Sequence, residues 1–124
     1  MLFGRHVRKR SPGNIVAELK LLRARYQFAS FMFHDDCLTE NRAWVSEFCD
    51  LYQAEGFTQP FFCQSRADII AQNEDMVRRM AEVGLRGYFV GFESGSDRML
   101  KFLRKGTTRE KNLAAASVCK RHGV

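Results

Sequence analysis

The chain has 124 residues, 45% of them apolar and 27% charged, with a formal net charge of +6. This length suits one modest domain with a real core, and this balance excludes low-complexity and disordered classes. No apolar run reaches the ~20 residues a bilayer span needs, and the basic N-terminal ten residues lack a signal peptide's apolar stretch, so a cytoplasmic location is expected.

The positive charge concentrates in Arg5, His6, Arg8, Lys9 and Arg10, a solvated lead-in to the first helix. Ser11 then offers a cap, Pro12 suits the first helical position, and Ile15, Leu19, Leu22 and Tyr26 recur on one helical face. Residues 28–33 form a short, aromatic-rich apolar run that predicts a buried strand, as do residues 60–63 and 87–92. A second helix is expected from about residue 39 to 56, with Trp44, Phe48 and Leu51 inward. A third begins near Asn73 and buries Met76, Met80 and Val83 before Gly84 stops it.

After Ser96 a short helix turns Leu100 and Leu103 inward and ends at Gly106. The run Thr107-Thr108-Arg109-Glu110 has capping-box spacing and opens a last helix that reaches Gly123. Alternating helices and strands predict parallel strands joined by crossover helices. Gly56-Phe57 and Gly84-Leu85 each lead from a helix into a strand, whereas Gly123-Val124 leads nowhere. With the apolar Met1-Leu2-Phe3 at the other end, this suggests an α/β chain that is a partial (β/α) TIM-like barrel, truncated at both ends.

In parallel α/β folds, ligands bind at the carboxyl ends of the strands. Those ends are polar here: His34-Asp35-Asp36-Cys37, then Gln64-Ser65-Arg66-Ala67-Asp68, then Glu93-Ser94-Gly95-Ser96. Carboxylates suit an ammonium, a guanidinium suits a carboxylate, and paired acceptors suit ribose hydroxyls, so together they fit a zwitterionic ligand with a sugar. Plainer roles exist for each. Asp35 or Asp36 can cap the next helix, Arg66 can pair with Asp68, and Ser94 or Ser96 can cap the short helix. Glu93 resists a plain role, because an unpaired acid at a buried strand mouth is costly.

Cys37, Cys49, Cys63 and Cys119 form no CxxC or CxxxCxxC, so no metal site is expected from them. Cys49, Cys63 and Cys119 read as buried free thiols, while Cys37 directly follows a strand end.

These residues resemble the radical S-adenosylmethionine (SAM) superfamily, most nearly its members with a cobalamin-binding domain. The resemblance is carried by Arg10-Ser11-Pro12 with Asn14-Ile15-Val16 and Glu18-Leu19, and by Phe33-His34-Asp35-Asp36 with Thr39 and Asn41. Val90-Gly91-Phe92-Glu93-Ser94-Gly95-Ser96 with Leu100 and Lys105-Gly106-Thr107 completes it. It implies that residues 1–124 are an internal fragment of a radical SAM core, about strands 2–4 with their helices. Asp35 and Asp36 then stand where the family meets the methionine amino group of SAM. Glu93 and Ser94 stand where it meets the ribose, and Arg66 is a candidate for the SAM carboxylate; no catalytic residue is assigned.

The intact enzyme is implied to bind SAM beside a [4Fe–4S] cluster and to form a 5′-deoxyadenosyl radical, or to support cobalamin-dependent methyl transfer. The cluster's ligands, and any cobalamin, are expected outside this chain, and the isolated fragment is expected to be inactive. Its partners are SAM and the remainder of its own barrel; neither a membrane nor a nucleic acid is expected. Two other classes stand as alternatives: a receiver-like signalling domain using Asp35 and Asp36 for a metal, and a basic nucleic-acid-binding fragment whose affinity falls with salt.

Overall fold

The computed structural model describes residues 9–124. Arg5, His6, Arg8 and Met1-Leu2-Phe3 lie outside the described residues. Among the described residues, six helices and three strands follow one another: α1 (Pro12–Tyr26), β1 (Phe31–Met32), α2 (Arg42–Ala54), β2 (Phe61–Gln64), α3 (Ala67–Gln72), α4 (Glu74–Val83), β3 (Leu85–Phe89), α5 (Asp97–Phe102) and α6 (Arg109–Arg121). A 3₁₀ turn at Leu38–Glu40 precedes α2. The strands lie in the order β1-β2-β3, and both pairings are parallel, as the alternation predicts.

Local chemistry sets the helix ends. The Ser11 hydroxyl accepts the Asn14 N–H, with Pro12 in the first turn where a missing N–H costs nothing. The Asn41 side chain does the same for Trp44, so α2 starts at Arg42 rather than near Thr39. At the last helix the cap is Thr108, which accepts the Lys111 N–H; Thr107, one residue earlier, instead bonds Asn112. Gly84 ends α4 at φ 130°, a conformation that L side chains rarely adopt, and a Cβ there would stand 3.1 Å from the Gln59 carbonyl oxygen. The chain can therefore turn directly from α4 into β3.

The sheet has one helix-covered face. Phe31, Phe61 and Leu85 are register partners on it, and Phe61 and Leu85 are fully buried. Phe61 lies within 6.1 Å, ring centre to ring centre, of Phe31, Phe33, Phe48 and Tyr52. Fully burying each such ring contributes roughly 1.5–3 kcal/mol, and aromatic pairs add about 0.5–1.5 kcal/mol. The Tyr52 hydroxyl donates to the Gln59 carbonyl at 2.7 Å, so its polar end is satisfied inside this cluster. On α1 the inward residues are Val16 and Leu19, while Leu22 and Tyr26 face solvent. In α2, Val45, Phe48, Cys49 and Tyr52 are buried, and Trp44 and Leu51 are only partly covered.

A second, smaller cluster joins α3, α4 and α6 through Ala67, Ile70, Val77, Ala115 and Val118. Residues 64–68 read in the sequence as one strand end, but Ala67–Gln72 form α3. Its six residues give too short a pattern for helical periodicity to stand out.

The other sheet face carries Met32 and Phe62, register partners that are 39% and 38% exposed, and Phe89, 68% exposed. Gly87 pairs with Phe62, and a Cβ at Gly87 would lie 3.0 Å from the Phe62 ring. In a (β/α) barrel this is the face turned to the interior.

Candidate functional site

All three strands deliver loops to one rim. Above β2 and β3 that rim encloses a cavity of about 450 Å³, lined by Asp36 from the loop after β1, by Gln64 to Asp68, by Val90, Gly91 and Glu93, and by Lys105 to Thr107. This volume lies in the usual range for small-molecule sites, roughly 300–1,000 Å³.

Of the expected site residues, Asp36, Arg66 and Glu93 meet in this cavity. Asp35 does not. It lines a neighbouring hollow of about 380 Å³ with Arg10, Phe33, Cys37 and Trp44, because the chain turns at Asp36 and carries the two side chains apart. Ser94 is also absent from the cavity wall. Its hydroxyl accepts the Ser96 N–H at 3.0 Å, a local turn bond; neither serine caps α5, whose N-cap residue Ser96 makes no side-chain cap hydrogen bond.

Arg66 forks onto Asp68, with Nε 3.1 Å from Oδ1 and Nη2 2.8 Å from Oδ2. Burial pushes the Asp68 carboxyl up, but the Arg66 hydrogen bond and charge prevail and hold it below its ordinary value. The same bond raises the Arg66 pKa. Two donors are used, and a guanidinium has five, so Arg66 can still donate into the cavity.

Glu93 differs from its expected setting. The strand ends at Phe89, four residues earlier, and consecutive tight turns follow, with Phe92 N–H to Val90 O at 2.9 Å and Ser94 N–H to Phe92 O at 2.6 Å. Glu93 itself takes φ 57°, in the left-handed region, which costs a non-glycine residue about 1–3 kcal/mol unless its surroundings hold it there. Its carboxylate is neither buried nor unpaired: 45% of the side chain is exposed, and Oε1 accepts from Lys105 Nζ at 2.8 Å.

Three further residues support the site in roles that the sequence does not announce. Asn112 is buried on α6, and its Nδ2 donates to the Phe92 carbonyl at 3.2 Å while its Oδ1 lies 3.1 Å from Thr107 Oγ1. It thereby joins the loop after β3 to the loop before α6. Thr39 and Ser65, 1% and 5% exposed, share a hydroxyl–hydroxyl hydrogen bond that ties the loop after β1 to the end of β2. One signal is present for Asn112: a polar residue three positions before Ala115 and six before Val118, on the inward face of the helix.

The cysteines have another chemistry. Burial pushes the Cys49 and Cys63 thiols up to about 12, so both are neutral at physiological pH and poor metal ligands. Among the described residues no three His, Cys, Asp or Glu side chains gather as a metal site. Those residues therefore do not fit an iron–sulfur cluster.

The sequence model of the radical SAM superfamily matches residues 2–124. The chain belongs to that superfamily. Over 122 residues it is 29% identical to an uncharacterized methyltransferase of Pyrococcus horikoshii, an alignment covering 98% of this chain and 26% of that one. Over 117 residues it is 26% identical to the anaerobic magnesium-protoporphyrin IX monomethyl ester cyclase of a Synechocystis strain, covering 94% and 23%. The fold superposes on the cobalamin-dependent SAM radical enzyme OxsB with a TM-score of 0.84 at 23% identity, over 94% of this chain and 19% of that one. The chain thus spans about a quarter of the length of the curated relatives it matches. Its three parallel strands correspond to part of a radical SAM barrel. Among the described residues, no helix is long and apolar enough to cross a membrane.

Proposed function

We propose that residues 1–124 form about strands 2–4 of a radical SAM enzyme core and supply part of its SAM-binding wall. The reading rests on one observation: Asp36, Arg66 and Glu93, from the loops after three parallel strands, line a single cavity. SAM bound beside a [4Fe–4S] cluster supplies reductive carbon–sulfur bond cleavage. The cluster's ligands lie outside the described residues in this proposal.

The cavity's donor set fits the cofactor. Asp36 accepts hydrogen bonds from the methionine ammonium, the unpaired donors of Arg66 face its carboxylate, and Glu93 accepts from the ribose hydroxyls. Asp35 contributes from the adjoining hollow, and Ser94 holds the Glu93 loop rather than the ligand. This chain's share of the chemistry is to bind, orient and exclude water. Cobalamin, and methyl transfer to a substrate, are the outcome favoured by the methyltransferase relative and the OxsB-like fold.

The test is equilibrium SAM binding to the full-length protein, with the melting temperature taken on the same preparation. Asp36→Asn and Glu93→Gln are each expected to weaken binding about tenfold, the effect of leaving a ligand group unpaired. Unchanged affinity in both would remove this cavity from the SAM site.

A further inference from the structure

Lys105 was outside the expected site, yet its ammonium stands in the cavity wall. The turn that carries it is unusual: Arg104 at φ 52° and Gly106 at φ 71° flank it, and its own N–H donates to the Leu100 carbonyl at 3.0 Å. Two left-handed residues around one lysine swing its side chain away from α5 and across to the loop after β3.

That loop makes room for it. A Cβ placed at Gly91 would lie 2.9 Å from Glu93 Oε1, closer than real Cβ contacts, and 3.0 Å from Lys105 Nζ, tighter than most. Gly91 therefore gives the ion pair the space it occupies. Beneath it, buried Asn112 links Phe92 and Thr107, so the same two loops are tied once by a neutral hydrogen-bonded side chain and once by the charge pair. The pair is redundant for holding the loops together, and half-exposed ion pairs contribute little to stability. What it does fix is the rotation of the carboxylate: Lys105 takes Oε1, and Oε2 has no protein partner among the described residues.

We propose that Lys105 is a positioning residue, holding Glu93 through one oxygen so that the other is presented to the ligand in a single orientation, with Gly91 as the space that permits it. The assignment rests on the proposed SAM-binding role of Glu93. Without Lys105 the carboxylate rotates freely above a strained backbone, and the ligand must order it on binding.

The experiment measures SAM affinity and melting temperature of the full-length protein for Lys105→Met, Lys105→Arg, Gly91→Ala, Glu93→Gln and the Lys105→Met/Glu93→Gln double variant. Lys105→Met is expected to weaken binding about tenfold with little change in melting temperature, and Lys105→Arg to return it to within about threefold of the parent. Gly91→Ala displaces only the ends of two flexible side chains, so it should fold normally and reproduce the Lys105→Met loss. The double variant should bind no more weakly than Glu93→Gln alone. Additive losses would show Lys105 acting independently of Glu93 and overturn the proposal. Full affinity in Lys105→Met and Gly91→Ala, with loss in Glu93→Gln, would overturn it while leaving the SAM site standing. Full affinity in all five would instead remove Glu93 from the SAM site, and the proposal with it. If Lys105→Met does not fold, Gly91→Ala and Lys105→Gln decide by the same criteria.

Discussion

The two apolar clusters of this chain differ in what fills them and in what they hold up. Around β1 and β2, large rings interlock: Phe33, Phe48, Tyr52 and Phe61 are each no more than 9% exposed. Between α3, α4 and α6 the filling is Ala67, Ile70, Val77, Ala115 and Val118, small enough for α3 and α6 to pack closely but poor in buried area. Above the first cluster, β1 reaches the Asn41-capped α2 through residues 33–41, and β2 passes almost at once into the uncapped α3. Above the second, residues 90–96 and 103–108 carry two non-glycine residues at positive φ, Glu93 and Arg104, and are joined by polar contacts. Bulk apolar packing thus secures the scaffold, while hydrogen bonds and ion pairs shape the wall of the cavity. Such an arrangement puts a cavity wall on the segments least tied to the core.

Emptying each cluster in turn should separate them most clearly. Phe61→Ala removes a fully buried ring that touches four others and should cost about 3–5 kcal/mol in chemical denaturation. Ile70→Ala, a truncation to the same residue at an equally buried site of the second cluster, should fall toward the low end of about 2–5 kcal/mol. Equal losses at the two sites would mean that the division has no energetic meaning.

Next in size is the hydroxyl pair beneath the rim. Thr39→Val leaves the buried Ser65 hydroxyl without its partner and should cost about 1–3 kcal/mol, whereas adding Ser65→Ala should recover part of that loss. A double-variant loss equal to the sum of the singles would show that the two hydroxyls do not depend on each other.

The helix caps sharpen the contrast further. Ser11→Ala and Thr108→Ala each remove one accepted N–H and should each cost about 1 kcal/mol. Because α6 lies on the weaker cluster, hydrogen exchange should speed up locally around residues 109–121 in Thr108→Ala. In Ser11→Ala the change should be confined to the first turn of α1.

The smallest effect concerns pH. Hydrogen bonds from Arg121 and then His122 hold the Glu74 carboxyl down at about 2, from an ordinary 4.5, and so clip α4 to the end of α6. A carboxyl depressed in the folded state adds stability above its unfolded pKa and loses it as pH falls through its folded pKa. The parent should therefore lose stability between about pH 4.5 and 2, and Glu74→Gln should show a shallower decline over that window. Since Glu74 is at the surface, added salt should shrink the difference. Parallel pH curves for parent and variant would mean the clip contributes nothing.

Much of the scaffold was written in local sequence. Ser11-Pro12 and Gly84 announced helix ends through the backbone groups they satisfy or the φ they permit, and the spacing of Met76, Met80 and Val83 announced the buried face of α4. Alternation of helix and strand implied parallel pairing, because parallel neighbours need crossovers. The superfamily, too, was legible from short motifs in their order. The caps and helix faces depend on residues within a few positions of one another, and the alternation and motifs on the order of such segments.

Tertiary structure alone decided which polar residues meet. Asp35 and Asp36 are indistinguishable as neighbours in a string, and only the course of the loop after β1 sends one into the cavity beside Arg66 and Glu93. Leu103 and Leu22 fit their helical faces by period but found no partner surface, so they stayed in solvent. Glu93 drew attention as an unpaired acid, yet its partner lies twelve residues away, beyond a short helix and a left-handed turn. Periodicity records what a backbone segment does with itself. Pairing across loops depends on distances between segments, which the packing of α6 and its buried Asn112 set.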